Sequence, residues 1–230
     1  MPCWGQITFE DMSTNTMLHL IHYHDLTFIL TAVISSGVLW ALGWAVLNNR
    51  TYRTLPNSEL LETTWTVAPG VILLTLAFPS LKNLYLQDEV ADPYTHLKVV
   101  GSQWYWTYEI ASAGADTPGN YTFSSYLSPD KATMFDVDKR VVVPSNETIR
   151  LLVSSTDVIH AWTVLGSGVK VDAVPGRINQ SQVCFNRSGV FYGQCSELCG
   201  VNHAFMPIMV EAIPKPYFLS WLQSVVSDSA

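Results

Sequence analysis

The sequence predicts a membrane-anchored all-β protein: an N-terminal transmembrane α-helical hairpin, then a sandwich or barrel of short strands, then a short C-terminal helix. Three observations predict it. Charged residues make up 13% of the 230 residues, about half the roughly 25% of soluble domains. The shortage is local, because residues 26–47 and 63–81 are runs of 22 and 19 residues without Asp, Glu, Lys or Arg. Each run is near the ~20 residues a helix needs to cross a hydrocarbon core. From His96 onward the pattern changes to short β-like runs punctuated by Gly and Pro, the mark of a sandwich or barrel.

The hairpin comes first, with spans expected at about 26–47 and 63–84 inside a membrane segment of 26–88. A buried helix of a soluble protein is the alternative for either run alone. Pro69 and Pro79 weaken the second run, although membrane helices tolerate proline. The first run is too long for a secretory signal peptide, and no basic region precedes it. Residues 1–25 hold Glu10, Asp11 and Asp25 and no Lys or Arg, whereas the 48–62 connection holds Arg50 and Arg53. The positive-inside rule then leaves the connection inside and both termini outside. Everything after about residue 88 lies outside, where disulfides can form.

The β domain is expected over 93–215. Its runs are 97–100, an aromatic-rich stretch 104–110, 139–143, 148–153, 161–165, 169–174, 190–192 and 209–213. Residues 111–121 read as a loop. Residues 217–226 read as a short helix within a 216–230 tail. Roughly 120 residues of β structure can bury a core of their own. With a formal charge of −7, the chain is not expected to bind nucleic acid.

One run stands out chemically. Cys195, Cys199, His203 and Met206 follow the pattern C-x3-C-x3-H-x2-M. Thiolate and thioether sulfur favour soft metals, and imidazole suits copper. A structural zinc site would close with Cys and His alone and has no use for Met206. A mononuclear blue-copper site needs one Cys, two His and a weak axial Met. Here there is a second Cys and one His, so the surplus thiolate suggests two metals sharing bridging sulfurs. A Cys195–Cys199 disulfide is the alternative, and it leaves His203 and Met206 unexplained. The missing imidazole is expected from His160: His22, His24 and His96 lie before or at the start of the β domain, and copper-binding β-sandwiches draw one His from an early strand and the remaining ligands from one loop near the end. Cys3 and Cys184 have no motif around them and read as free thiols.

With these residues in view, the chain resembles subunit II of the haem–copper cytochrome c oxidases of mitochondrial type. The resemblance covers nearly the whole chain. It is carried by Gly193-Gln194-Cys195-Ser196-Glu197-Leu198-Cys199-Gly200, by Gln103-Trp104-Tyr105-Trp106 and by Asp172-Ala173-Val174-Pro175-Gly176-Arg177. It implies a cupredoxin-like Greek-key domain with a binuclear copper centre, CuA. Cys195 and Cys199 would bridge the coppers, with His160 and His203 each ending one of them. Met206 and the Glu197 carbonyl would be weak ligands. The Glu197 carboxylate would turn to a magnesium ion shared with subunit I, in keeping with the preference of hard cations for oxygen. Without the resemblance, Glu197 reads as a solvated loop carboxylate.

The resemblance also implies that Trp104 is the exposed point where electrons arrive from cytochrome c, with Trp106 on its face of the strand. On pattern alone both tryptophans read as core. From Asp88 on there are 14 acidic and 9 basic residues, a net −5, which suits a basic partner. Asp157, Glu109 and Asp138 are the docking candidates, against ordinary solvated carboxylates. The acid-poor stretch after Glu109, with only Asp116, departs from what the family leads one to expect. Glu62, at the start of the second span, is a candidate for the mouth of a proton pathway in subunit I, or a headgroup-level carboxylate. The expected setting is the mitochondrial inner membrane, with the copper domain and both termini in the intermembrane space. The other readings are a membrane-anchored copper-delivery or storage protein, nitrous oxide reductase, which is longer and soluble, and a quinol oxidase subunit II, which lacks the copper ligands.

Overall fold

The computed structural model describes residues 4–50, 57–88, 92–111, 120–129 and 133–229. Cys3, Arg53, Asp116 and most of the 111–121 loop lie outside them. The chain divides into two compact units, one over His19–Tyr85 and one built from the segment before it together with the chain from Leu86 onward.

The first unit holds two long apolar helices, α1 (Asn15–Leu47) and α2 (Glu59–Asp88). Both are long and apolar enough to cross a membrane. Their surfaces expose Val38, Leu39, Trp40, Leu73, Leu74 and Phe78, side chains that suit lipid and not water. Near the open ends of the pair, Asn83 Nδ2 donates to the His19 carbonyl at 3.3 Å. Thr64, Thr66 and Thr75 each donate their hydroxyls to the carbonyl four residues back, so these three hydroxyls do not depend on water. Ser58 caps α2, its Oγ accepting from Leu61 N–H at 3.4 Å, and Glu59 and Glu62 sit in the first turn, where the helix dipole favours negative charge. Pro69 and Pro79 lie inside α2.

Helix α1 begins well before residue 26. Thr14 is the reason. Its Oγ1 accepts from the Met17 N–H at 3.0 Å, an N-cap, and donates to the Ser167 carbonyl at 2.7 Å. Met17 is buried against Gly168, where φ is +66° and an added Cβ would stand 3.1 Å from the Met17 sulfur, so a side chain there would be strained and crowded.

The second unit is a β-sandwich of two five-stranded sheets. The first contains β1 (Thr95–Ser102), β2 (Tyr105–Ala111), β3 (Asn120–Ser125), β5 (Ile149–Ser155) and β8 (Asn179–Val183), in the order β3-β2-β1-β5-β8. The second contains β4 (Val141–Pro144), β6 (His160–Val164), β7 (Val169–Ala173), β9 (Gly189–Cys195) and β10 (Pro207–Ile213), in the order β4-β10-β9-β6-β7. Pairing is antiparallel except for β1 with β5 and β4 with β10. Alternation sets the faces. Strand β2 buries Trp106, Tyr108 and Ile110, while β5 buries Ile149, Leu151 and Val153. Trp162 of β6 is buried and donates to the Tyr108 hydroxyl at 3.3 Å across the core. Helix α3 (Lys215–Ser229) covers β3 and β4 with buried Phe218 and Leu222, and Trp221 meets Tyr121 edge-on at 5.9 Å. The architecture is therefore two apolar helices, a cupredoxin-like sandwich and a C-terminal helix.

Two strands were not expected. Strand β3 starts at Asn120, where the sequence reads as loop, and β8 is four polar residues and Val183. They are the two edges of one sheet. An edge strand needs little apolar pattern, and β8 buries Val183 alone.

Candidate metal centre

The ligand run lies where three elements meet. Cys195 ends β9, Cys199 sits in the following loop, His203 opens a 3-10 turn, and Met206 directly precedes β10. His160 opens β6. Strand pairing puts Trp162 opposite Cys195, and His160 shares the face of Trp162, two residues away. This brings the imidazole to the thiol across 35 residues of chain.

The donor atoms converge. Cys195 Sγ lies 3.9 Å from Cys199 Sγ, 3.9 Å from His160 Nδ1 and 3.3 Å from the Glu197 carbonyl oxygen. Cys199 Sγ lies 3.4 Å from His203 Nδ1 and 3.5 Å from Met206 Sδ. The ligand atoms of His160, Cys195 and Cys199 all fall within 4.8 Å of one another. A sulfur–sulfur distance of 3.9 Å is far from the roughly 2.05 Å of a disulfide, and both thiols are free. Each sulfur has an imidazole of its own. A soft donor set arranged this way fits copper, and two sulfurs between two imidazoles fit a pair of ions. His160 is fully buried, and Cys195, Cys199 and Met206 are nearly so.

Outer contacts hold these donors. His160 Nε2 lies 2.9 Å from Asp157 Oδ1, which leaves Nδ1 to face Cys195. Asp157 also accepts from the Val158 N–H at 2.6 Å and the Gln103 N–H at 2.7 Å. Burial alone would raise the Asp157 carboxyl, but the hydrogen bonds from His160, Gln103 and Val158 outweigh it and hold it below the usual range. Burial would lower His160, yet Cys195 and Asp157 together raise it. Burial raises both thiols; hydrogen bonds from His160 and the backbone reverse this at Cys195, while the charge on Cys195 pushes Cys199 up further. The pair therefore gives up its first proton readily and its second reluctantly, until a cation takes the second proton's place. Trp106 donates its Nε1–H to the Met206 carbonyl at 3.2 Å.

Trp104 lies in the two-residue turn joining β1 to β2, since Ser102 pairs with Tyr105. The chain leaves the strand there, so Trp104 does not share a strand face with the buried Trp106. It is half-buried and packs on Gly200, the residue after Cys199. A Cβ on Gly200 would stand 3.1 Å from Trp104 Cζ2.

The Glu197 side chain is exposed while its carbonyl faces the site. Asp157 is a partner of His160 before it is a docking group. Glu109 is engaged by Lys98 at 3.1 Å and Asn120 at 2.9 Å, and Asp138 accepts from the Tyr126 and Lys139 N–H groups at 2.7 Å each. Glu62 is exposed near the start of α2. Sequence reasoning missed Gln103 as a contact of the site, although it stands in the quoted aromatic motif.

Comparison with known proteins decides the family. Residues 95–213 match the family model of the periplasmic domain of cytochrome c oxidase subunit II, and residues 2–83 match that of its transmembrane domain. The chain belongs to the cytochrome c oxidase subunit II family. Cytochrome c oxidase subunit 2 of Drosophila melanogaster is 44% identical over 97% of this chain and 99% of that one. The Culex quinquefasciatus protein is 42% identical over the same shares. The crystal structure of the periplasmic domain of subunit II of cytochrome oxidase (CoxB) of Bradyrhizobium japonicum is 40% identical, with a TM-score of 0.57 over 62% of this chain and all of that one. As a member, the chain is a subunit of a haem–copper oxidase of the respiratory chain, works beside other oxidase subunits and belongs in an inner membrane. Membership implies a CuA copper centre, with which the His160, Cys195 and Cys199 cluster is compatible.

Proposed function

We propose that this subunit receives electrons from cytochrome c at a binuclear copper centre and delivers them to haem in subunit I, where O2 is reduced to water with proton pumping. The observation that carries the reading is the pair of buried sulfurs 3.9 Å apart with an imidazole beside each. Cys195, Cys199, His160 and His203 would hold the copper, with Met206 and the Glu197 carbonyl as weaker donors. When bound, a pair of coppers would supply one-electron transfer with little change of geometry. The chain supplies rigidity. Strand-end placement fixes Cys195 and His160, Asp157 locks the His160 ring, and the packed core excludes water from the sulfurs. All the donors would come from buried groups of the chain, which suits relay and not catalysis at this site.

Trp104, lying on the Cys199–Gly200 peptide, is the point of electron arrival. The exposed Glu197 carboxylate would hold magnesium with subunit I. The net −5 of the outer part favours the basic cytochrome c at long range, with Asp157, Glu109 and Asp138 as docking groups. The two helices cross the lipid bilayer, with the β domain and both termini in the intermembrane space, and Glu62 marks the opening of a proton pathway. Copper delivery is the weaker reading, because a donor protein must expose its thiolates, whereas Cys195 and Cys199 are 7% and 4% exposed.

In purified oxidase mixed with reduced cytochrome c, the near-infrared band of the copper centre is expected to bleach before the haem bands change. Haem reduction with no earlier bleaching would contradict the reading. A Glu62→Ala oxidase with normal reductive-phase kinetics would remove Glu62 from the proton path.

A further inference from the structure

The turn that carries Trp104 has a second residue, and its contacts reach both ligand-bearing segments. The Gln103 backbone N–H donates to Asp157 Oδ2 at 2.7 Å, while Asp157 Oδ1 lies 2.9 Å from His160 Nε2. The Gln103 side-chain Nε2 donates to the Cys199 carbonyl at 2.8 Å. One residue of the first sheet is thus tied to the start of β6 and to the ligand loop of the second sheet, 54 and 96 residues away along the chain.

The ligand loop needs such a tie. Ser196, Glu197, Leu198, Gly200, Val201 and Asn202 are all exposed, so little packing holds the loop around buried Cys199. Gly200 has φ of +125°, and a Cβ there would stand 3.2 Å from Gln103 Nε2 and 3.1 Å from Trp104 Cζ2. The peptide runs directly beneath the turn, with no room for a side chain between them.

We propose that Gln103 is a positioning residue of the metal centre: its amide holds the Cys199–Gly200 peptide against the Trp104 ring and so sets where Cys199 Sγ stands relative to Cys195 Sγ. The role rests on the copper-centre reading given above. It joins two things the fold must keep in register, the electron-receiving ring and the ligand loop that carries Cys199. A glutamine suits this because it donates without charge. A cation there would pair with Asp157 and draw it away from His160.

The test is Gln103→Met in the intact oxidase, a side chain of similar length with no donor. The copper hyperfine pattern and near-infrared band are expected to shift, and copper loss to a chelator to quicken about fivefold, the scale of one net hydrogen bond. If Gln103→Met does not assemble, Gln103→Asn, whose amide stops one carbon short, carries the same comparison. A donor-less or shortened variant with the wild-type spectrum and copper lifetime overturns the proposal. A wild-type oxidase without a two-copper signal overturns the copper-centre reading itself, before any variant is compared.

Discussion

Removing the Asp157 carboxylate separates two roles that one residue could play. His160 is fully buried, and its Nε2 meets Asp157 Oδ1 at 2.9 Å. In Asp157→Ala the imidazole N–H loses that acceptor, and the N–H groups of Gln103 and Val158 lose theirs. Loss of the outer partner of a ligating histidine costs about 10- to 100-fold in metal affinity. A buried donor left unsatisfied costs about 1–3 kcal/mol, which corresponds to roughly 5- to 150-fold, so the two routes agree. Asp157→Asn keeps one carbonyl oxygen to accept from His160, but loses the charge and the second acceptor, which serves the Gln103 N–H. Copper affinity, from chelator competition on the purified oxidase, is therefore expected to fall 10-fold or more in Asp157→Ala and only a few-fold in Asp157→Asn. Asp157→Asn should instead slow association with cytochrome c, and mainly at low salt, where long-range charge is unscreened. Wild-type copper affinity in Asp157→Ala would refute the anchoring argument. Equal effects of the two variants would refute the division of roles.

Gly200→Ala places a Cβ 3.1 Å from Trp104 at φ of +125°; it should cost about 1–3 kcal/mol, read as earlier thermal loss of the subunit from the oxidase, and it should slow electron uptake. Trp104→Phe should slow uptake from cytochrome c in stopped flow while leaving the copper spectrum unchanged, because the ring is not a ligand; loss of copper would recast Trp104 as a support of the ligand loop. Phe218→Ala empties the main anchor of α3, which is 2% exposed, and should cost about 3–5 kcal/mol; an unchanged melting temperature of the assembled oxidase would show that α3 adds little to the sandwich.

The parts of this molecule that could be read from sequence are those whose physics is local. Cys195, Cys199, His203 and Met206 fall in one short loop, so their spacing alone pointed to a soft metal and a second bridging sulfur. The apolar runs behind α1 and α2 are continuous, and the alternation in β2 and β5 is clean. His160 was reached only through the order in which copper-binding sandwiches supply ligands, because its meeting with Cys195 depends on the pairing of β6 with β9. The start of α1 was missed because Thr14 and Met17 are held by the β domain and not by helical pattern. Strands β3 and β8 were missed because edges carry few apolar residues. Gln103 binds distant segments, and contacts spanning 54 and 96 residues leave no periodic trace; Asp157 stands only three residues before His160, but that spacing alone does not distinguish an anchor from a solvated carboxylate. Trp104 was legible as a candidate, but its place in a turn was not, since the aromatic run continues smoothly into β2.

The central claim is that Cys195 and Cys199 together hold two coppers sharing one electron. Electron paramagnetic resonance of the oxidised, purified oxidase tests it most directly. A hyperfine pattern from one unpaired electron spread equally over two copper nuclei is expected, and it should be lost in Cys199→Ser. A pattern from a single copper nucleus in the wild-type protein would contradict it.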